Sequence, residues 1–142
     1  MAHPDLDELL TSLLPFAREM LAKRGEFFPF GACMKSDGTI EMVAAQTDSD
    51  QPPSQQLIDL IAETLRAKAS AGEIRAAGIC YDVRIRPSGA SAPMDAICAS
   101  LDHSVAEAVD VFLPYEKKRF RGPKYSELSA GPGSISLFTG AS

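Results

Sequence analysis

Tryptophan is absent from this 142-residue chain, and histidine occurs only as His3 and His103. With so little imidazole, no H-E-x-x-H spacing can form, and neither a phosphate loop, a dinucleotide fingerprint nor a nucleophile elbow occurs. No cofactor, no metal and no catalytic residue is therefore expected from motifs. Cysteine is scarce as well. Its three copies, an odd number without a C-x2-C knuckle, exclude a disulfide framework and point to reduced thiols in a cytoplasm. No apolar run approaches the ~20 residues that span a bilayer. The opening MAHPDLDELL is acidic where a secretory signal or transit peptide is basic, so neither is expected and no membrane contact is implied. Repeats and low-complexity tracts are also missing.

What remains is ordinary for a soluble globular protein: 45% apolar residues, 23% charged residues and a net charge of −5. That charge makes nucleic acid an unlikely partner for the domain as a whole. The length suits a single domain over residues 1–142, long enough to bury about two-thirds of its unfolded surface.

The stretch 26–47 carries the clearest pattern. A three-residue loop Ser36-Asp37-Gly38 sets Met34 opposite Ile40, Ala32 opposite Met42 and Phe30 opposite Ala44. This hairpin collects Phe28, Phe30, Ala32, Met34, Ile40, Met42 and Ala44 on one face. A helix is expected over 4–24, with Pro4 and acids at its start, Lys23, Arg24 and Gly25 at its end, and a kink or break near Thr11–Leu14 caused by Pro15. A second helix is expected over 53–71, then strands over 74–86, 94–101 and 107–115, and an irregular C-terminal segment 116–142. The order α-β-β-α-β-β-β implies an α+β fold with a single antiparallel sheet of about five strands, the element order of profilin-like and roadblock-like folds. If the bulky residues of every strand face the helices, Gly31, Cys33, Val43, Ala45, Ala76, Gly78, Cys80, Ala96, Cys98, Ala108 and Phe112 share the other face. All three cysteines then lie together, under a helix, the C-terminal segment or a second subunit.

Two groups are candidates for binding. Lys117, Lys118, Arg119, Arg121 and Lys124, against Glu116 and Glu127, make a local +3, leaving −8 for the rest of the chain. Phe120 and Tyr125 are interleaved with these cations, a pattern suited to gripping an acidic protein, an anion or a single nucleic-acid strand. The alternative group is Asp82, Arg84, Arg86 and Asp102, whose charges on neighbouring strands would suit a small molecule or anion. His103 beside Asp102 is expected in a hairpin turn, with strand parity placing it on the face opposite Cys98.

The stretches Gly25-Glu26-Phe27-Phe28-Pro29-Phe30-Gly31 with Asp37-Gly38, and Leu113-Pro114-Tyr115-Glu116-Lys117-Lys118, resemble a group of small bacterial α+β proteins of unknown function. Some of these resemble toxin-immunity-type proteins that neutralise by binding. The resemblance implies structural motifs and no catalytic residues. The sequence thus reads as a cytoplasmic, non-enzymatic protein-binding domain, with a homodimer as one form. The alternative is a small-molecule or anion-binding protein, or an enzyme, built on the charged sheet face.

Overall fold

The computed structural model describes residues 3–45, 47, 52–86, 89, 91–117 and 122–138. Among them lie α1 (Pro4–Arg24), β1 (Phe30–Lys35), β2 (Ile40–Val43), α2 (Ser54–Ser70), β3 (Ile74–Ile85), β4 (Met94–His103), β5 (Val109–Glu116), β6 (Lys124–Tyr125) and β7 (Ser129–Pro132). The strands form one antiparallel sheet in the order β2-β1-β3-β4-β5-β6, and β7 pairs with β5 on the same outer edge as β6. The α+β class and the order of the first seven elements match the expectation. The strand count does not: the segment expected to be irregular contributes β6 and β7, which raises about five strands to seven.

Local chemistry accounts for the elements. His3 caps α1, its Nδ1 accepting the Asp5 N–H at 3.1 Å, and Gly25 closes the helix at φ 74° with its N–H on the Leu21 carbonyl. Leu6, Leu9, Leu13, Ala17 and Leu21 form the buried stripe. Of the expected kink or break at Pro15, no break occurs: the helix runs on through it. Pro15 and Thr11 are both exposed, so the Thr11 carbonyl that loses its amide partner can turn to water. Helix α2 ends in a Schellman motif, with Gly72 N–H on Ala69 O and Glu73 N–H on Lys68 O, both at 3.0 Å. In the hairpin, Lys35 N–H reaches Thr39 O at 2.8 Å and Gly38 takes φ 93°, a left-handed conformation that suits glycine. Met34 stands opposite Ile40 and Ala32 opposite Met42, as read from sequence.

The two helices lie on opposite faces of the sheet. Helix α1 crosses β1, β3 and β4 over a core of Phe30, Met34, Cys80, Ile97, Leu101 and Tyr115. Helix α2 packs on β1 and β3 from the other side, around Cys33, Ile61, Leu65, Ala77 and Ile79, and Leu137 of the C-terminal segment joins that second core. A helix and the C-terminal segment, two of the expected covers, thus lie over the second face, but the residues expected to share that face do not all do so. Pairing of Cys33 with Ala77 and of Phe30 with Cys80 assigns Ala77 and Ile79 to the α2 side, and Ala76, Gly78 and Cys80 to the α1 side. The cysteines therefore divide: Cys80 lies under α1, while Cys33 and Cys98 lie on the α2 face, all three free and buried. Gly31 permits the close approach of α2. A Cβ there would stand 2.9 Å from both the Gly78 carbonyl oxygen and Ile61 Cγ2.

Candidate functional site

Because α1 covers β1, β3 and β4, strand β2 projects beyond it. Phe28 and Met42, expected in the core, are instead 47% and 48% exposed, and Phe16 on α1 is 44% exposed while its ring meets Phe30 edge-on at 4.7 Å. Ile40, on the same face as Met42, is half-buried. Among the described residues β2 pairs only with β1. The Lys35–Thr39 hydrogen bond fixes the alternation of the ladder, so Glu41 and Val43 direct their amides and carbonyls at β1. Ile40 and Met42 direct theirs outward, unused within the ladder. The α2 side of this edge opens into a groove of about 590 Å³ lined by Ala44, Ala45, Leu60, Ala67, Lys68 and Glu73. The one charge on β2, Glu41, is tied to Lys35 at 3.0 Å, which lowers the carboxyl pKa and raises that of the amine through their hydrogen bond.

A second constellation joins residues far apart in sequence. Asp5, in the first turn of α1, receives His103 Nε2 at 2.8 Å and Arg75 through Nε at 3.1 Å and Nη2 at 3.3 Å. His3 stacks on His103 with ring centroids 4.1 Å apart. The His103 hydrogen bond, with help from Arg75 and His3 and against burial, holds the Asp5 carboxyl below its usual value. Ligand atoms of His3, Asp5 and His103 lie within 4.8 Å of one another, the spacing one cation needs. Their lone pairs are committed otherwise. Val105 N–H donates to His103 Nδ1, so the proton sits on Nε2 and points at Asp5. The Asp5 N–H occupies His3 Nδ1, and Arg75 already balances the carboxylate. The cluster is a hydrogen-bonded clasp between the end of β4 and the start of α1. Nothing in the sequence joins these residues, and His103, expected in a turn, is the buried last residue of β4. His3 and Asp7 also wall an open groove of about 1150 Å³ with Glu107, Val109, Val111, Leu128 and Pro132.

The expected site residues are only partly brought together. Lys118, Arg119, Phe120 and Arg121 lie outside the described residues. Lys117 and Lys124 are exposed, and Lys124 stands opposite Glu116 in the β5–β6 pair. Tyr125 is half-buried with the Arg18 guanidinium 4.5 Å from its ring centroid, and its buried hydroxyl makes no hydrogen bond of good geometry among the described residues. In the alternative group, Asp82 accepts from the Tyr115 hydroxyl at 2.8 Å on the α1 face. Burial raises its pKa and that hydrogen bond opposes the rise. Arg84, opposite Asp95, and Arg86 are exposed. Asp102 is buried on the other face, toward the far end of β4, so it does not converge with Asp82, Arg84 and Arg86.

Neither the protein-family models, the curated proteins nor the solved structures contain a match to this chain.

Asp102 holds the C-terminal segment. One oxygen accepts its neighbour His103 N–H at 2.8 Å, and the other accepts Leu137 N–H at 2.8 Å and Phe138 N–H at 3.1 Å. Asp110, also buried, accepts Ser134 N–H at 3.2 Å. Beside them the Tyr81 hydroxyl meets Ser100 Oγ at 2.7 Å, and burial pushes its pKa up to about 12. The buried acids of β4 and β5 are thus engaged in fastening backbone. No helix among the described residues is long and apolar enough to cross a membrane.

Proposed function

We propose that this protein acts by binding another polypeptide, with the β2 edge as its docking surface for an extended strand. The observation that carries this reading is a strand edge that is unpaired among the described residues, with Met42 exposed on it and a groove on its α2 side. An added strand gains main-chain hydrogen bonds from the outward amides and carbonyls of Ile40 and Met42. Its alternate side chains fall on the apolar side and in the groove. Binding as the mode of action agrees with the resemblance to immunity-type proteins, while the docking surface moves from the basic segment to the β2 edge.

Met42→Pro provides the test, with Met42→Ala as the control that loses the side chain alone, since the proline also removes the outward N–H and leaves the β1–β2 ladder intact. A displayed library of extended peptides is selected against wild type and counter-screened on the variant. Peptides that bind wild type and lose the variant support the edge; a selection yielding only peptides indifferent to Met42→Pro refutes it.

A second reading keeps the segment around Lys117, Lys124 and Tyr125 as a contact for an acidic partner. It is favoured by Arg18, which adds a cation from α1 beside Tyr125. Reversing Lys117 and Lys124 to Glu is expected to weaken such a complex at low salt, and unchanged affinity would remove the reading.

A further inference from the structure

We propose that the groove between the start of α1 and the β5–β7 margin of the sheet binds a small organic cation, an amine carried on an apolar body. The site lies at the margin of the sheet away from β2, so it stands independently of the edge assigned to a polypeptide.

The course of α1 creates the groove. The helix packs mainly on β1, β3 and β4, and the same face of the sheet continues past it onto β5 and β7. Val111 belongs to the core under α1, and Val109 packs against that core. Pro132 stands opposite Val109 and Ala130 opposite Val111. Residues directly opposite point to the same side, so these four make an apolar floor. Leu128, 52% exposed, adds a large apolar side chain to the lining. His3 and Asp7 come from the start of α1, and Glu107 from the connection between β4 and β5. At about 1150 Å³ the groove has room for a small organic molecule, whose sites usually measure about 300–1,000 Å³.

Charge decides the occupant. The lining holds two carboxylates, Asp7 and Glu107, and no lysine or arginine. Both carboxylates are exposed, and among the described residues neither forms an ion pair. His3 adds no positive charge, because its Nδ1 accepts the Asp5 N–H, which only the neutral ring can do. With a net charge of −5 on the whole chain, the groove attracts a cation and repels an anion. The floor selects further. A bare inorganic cation gains nothing from Val109, Val111 and Leu128, whereas an amine on an apolar body meets both the floor and the carboxylates.

Three probes that share one phenylethyl body test this: phenethylamine, phenethyl alcohol and hydrocinnamate, carrying an ammonium, a hydroxyl and a carboxylate. Each is titrated into the protein while backbone amide shifts are followed by NMR. Phenethylamine is expected to shift the amides of Val109, Val111 and Ala130 and to bind about tenfold more tightly than the alcohol, with hydrocinnamate weaker than either. Asp7→Asn and Glu107→Gln are each expected to weaken the amine about threefold and to leave the alcohol unchanged, and added salt narrows the difference between the two probes. Leu128→Ala is expected to weaken amine and alcohol alike, which places the apolar body. Equal affinity for amine and alcohol, or full amine affinity after both carboxylates are replaced, overturns the choice of a cation. Shifts confined to residues outside the groove, or no shift with any of the three probes, overturn the site, and neither result touches peptide selection at the β2 edge.

Discussion

Replacing Asp102 with alanine tests the account of how the C-terminal segment is fastened. The carboxylate is 6% exposed and accepts three backbone N–H groups, two of them from Leu137 and Phe138. Hydrogen bonds to a charged group contribute about 1.5–3 kcal/mol each, and a buried donor left without a partner costs about 1–3 kcal/mol. The two donors differ in their surroundings. Phe138 is half-buried and its N–H can turn to water, whereas the Leu137 N–H is enclosed beside a side chain 1% exposed. Counting the loss mainly at Leu137, Asp102→Ala is expected to lower stability by about 3 kcal/mol, and Asp102→Asn, which retains one acceptor, by about half of that. Urea denaturation of both variants supplies the magnitude. Hydrogen exchange supplies the location, since the Leu137 amide should lose protection ahead of the Met34 and Ala76 amides in the central sheet. A loss below about 1 kcal/mol with Leu137 still protected would show that the segment is held by side-chain packing alone, and the reasoning would fail.

Two further changes probe the fold that presents the β2 edge. Asp5 has a depressed folded pKa, so its contribution to stability is complete above its ordinary value of 3.8 and is lost as pH falls through the lower, folded value. Acid titration of unfolding should therefore show wild type losing its margin over Asp5→Asn below pH 3.8, and parallel curves for the two proteins would contradict the clasp. Gly31→Ala sets a methyl group against a backbone carbonyl as well as Ile61, so it should destabilise by about 1–3 kcal/mol in thermal or urea unfolding. A neutral or stabilising result would mean that α2 can withdraw at little cost.

Much of the local architecture was legible before any tertiary structure. Pro4 with Asp5 and Asp7, then Lys23, Arg24 and Gly25, bracket α1, and Asp37-Gly38 sets a hairpin register that the fold keeps. These signals act over a few residues: caps satisfy nearby amides, and a left-handed turn needs one glycine. The site was far less legible. Phe28, Met42 and Phe30 read as one apolar face, and nothing in their alternation tells which of them a helix covers. That depends on α1 packing mainly on β1, β3 and β4, which leaves Met42 of β2 exposed.

Sequence alone specifies the two helices, the first five strands, the hairpin turn and the α+β class, because each follows from periodicity and capping within a short window. The tertiary structure alone decided that the helices occupy opposite faces, that Cys80 parts from Cys33 and Cys98, and that His3, Asp5, Arg75 and His103 meet. It also decided which end of the sheet is closed and which is open. Pairing between distant strands fixes those relations. A change of one residue in register would exchange every inward and outward side chain while leaving the local pattern of the sequence unaltered.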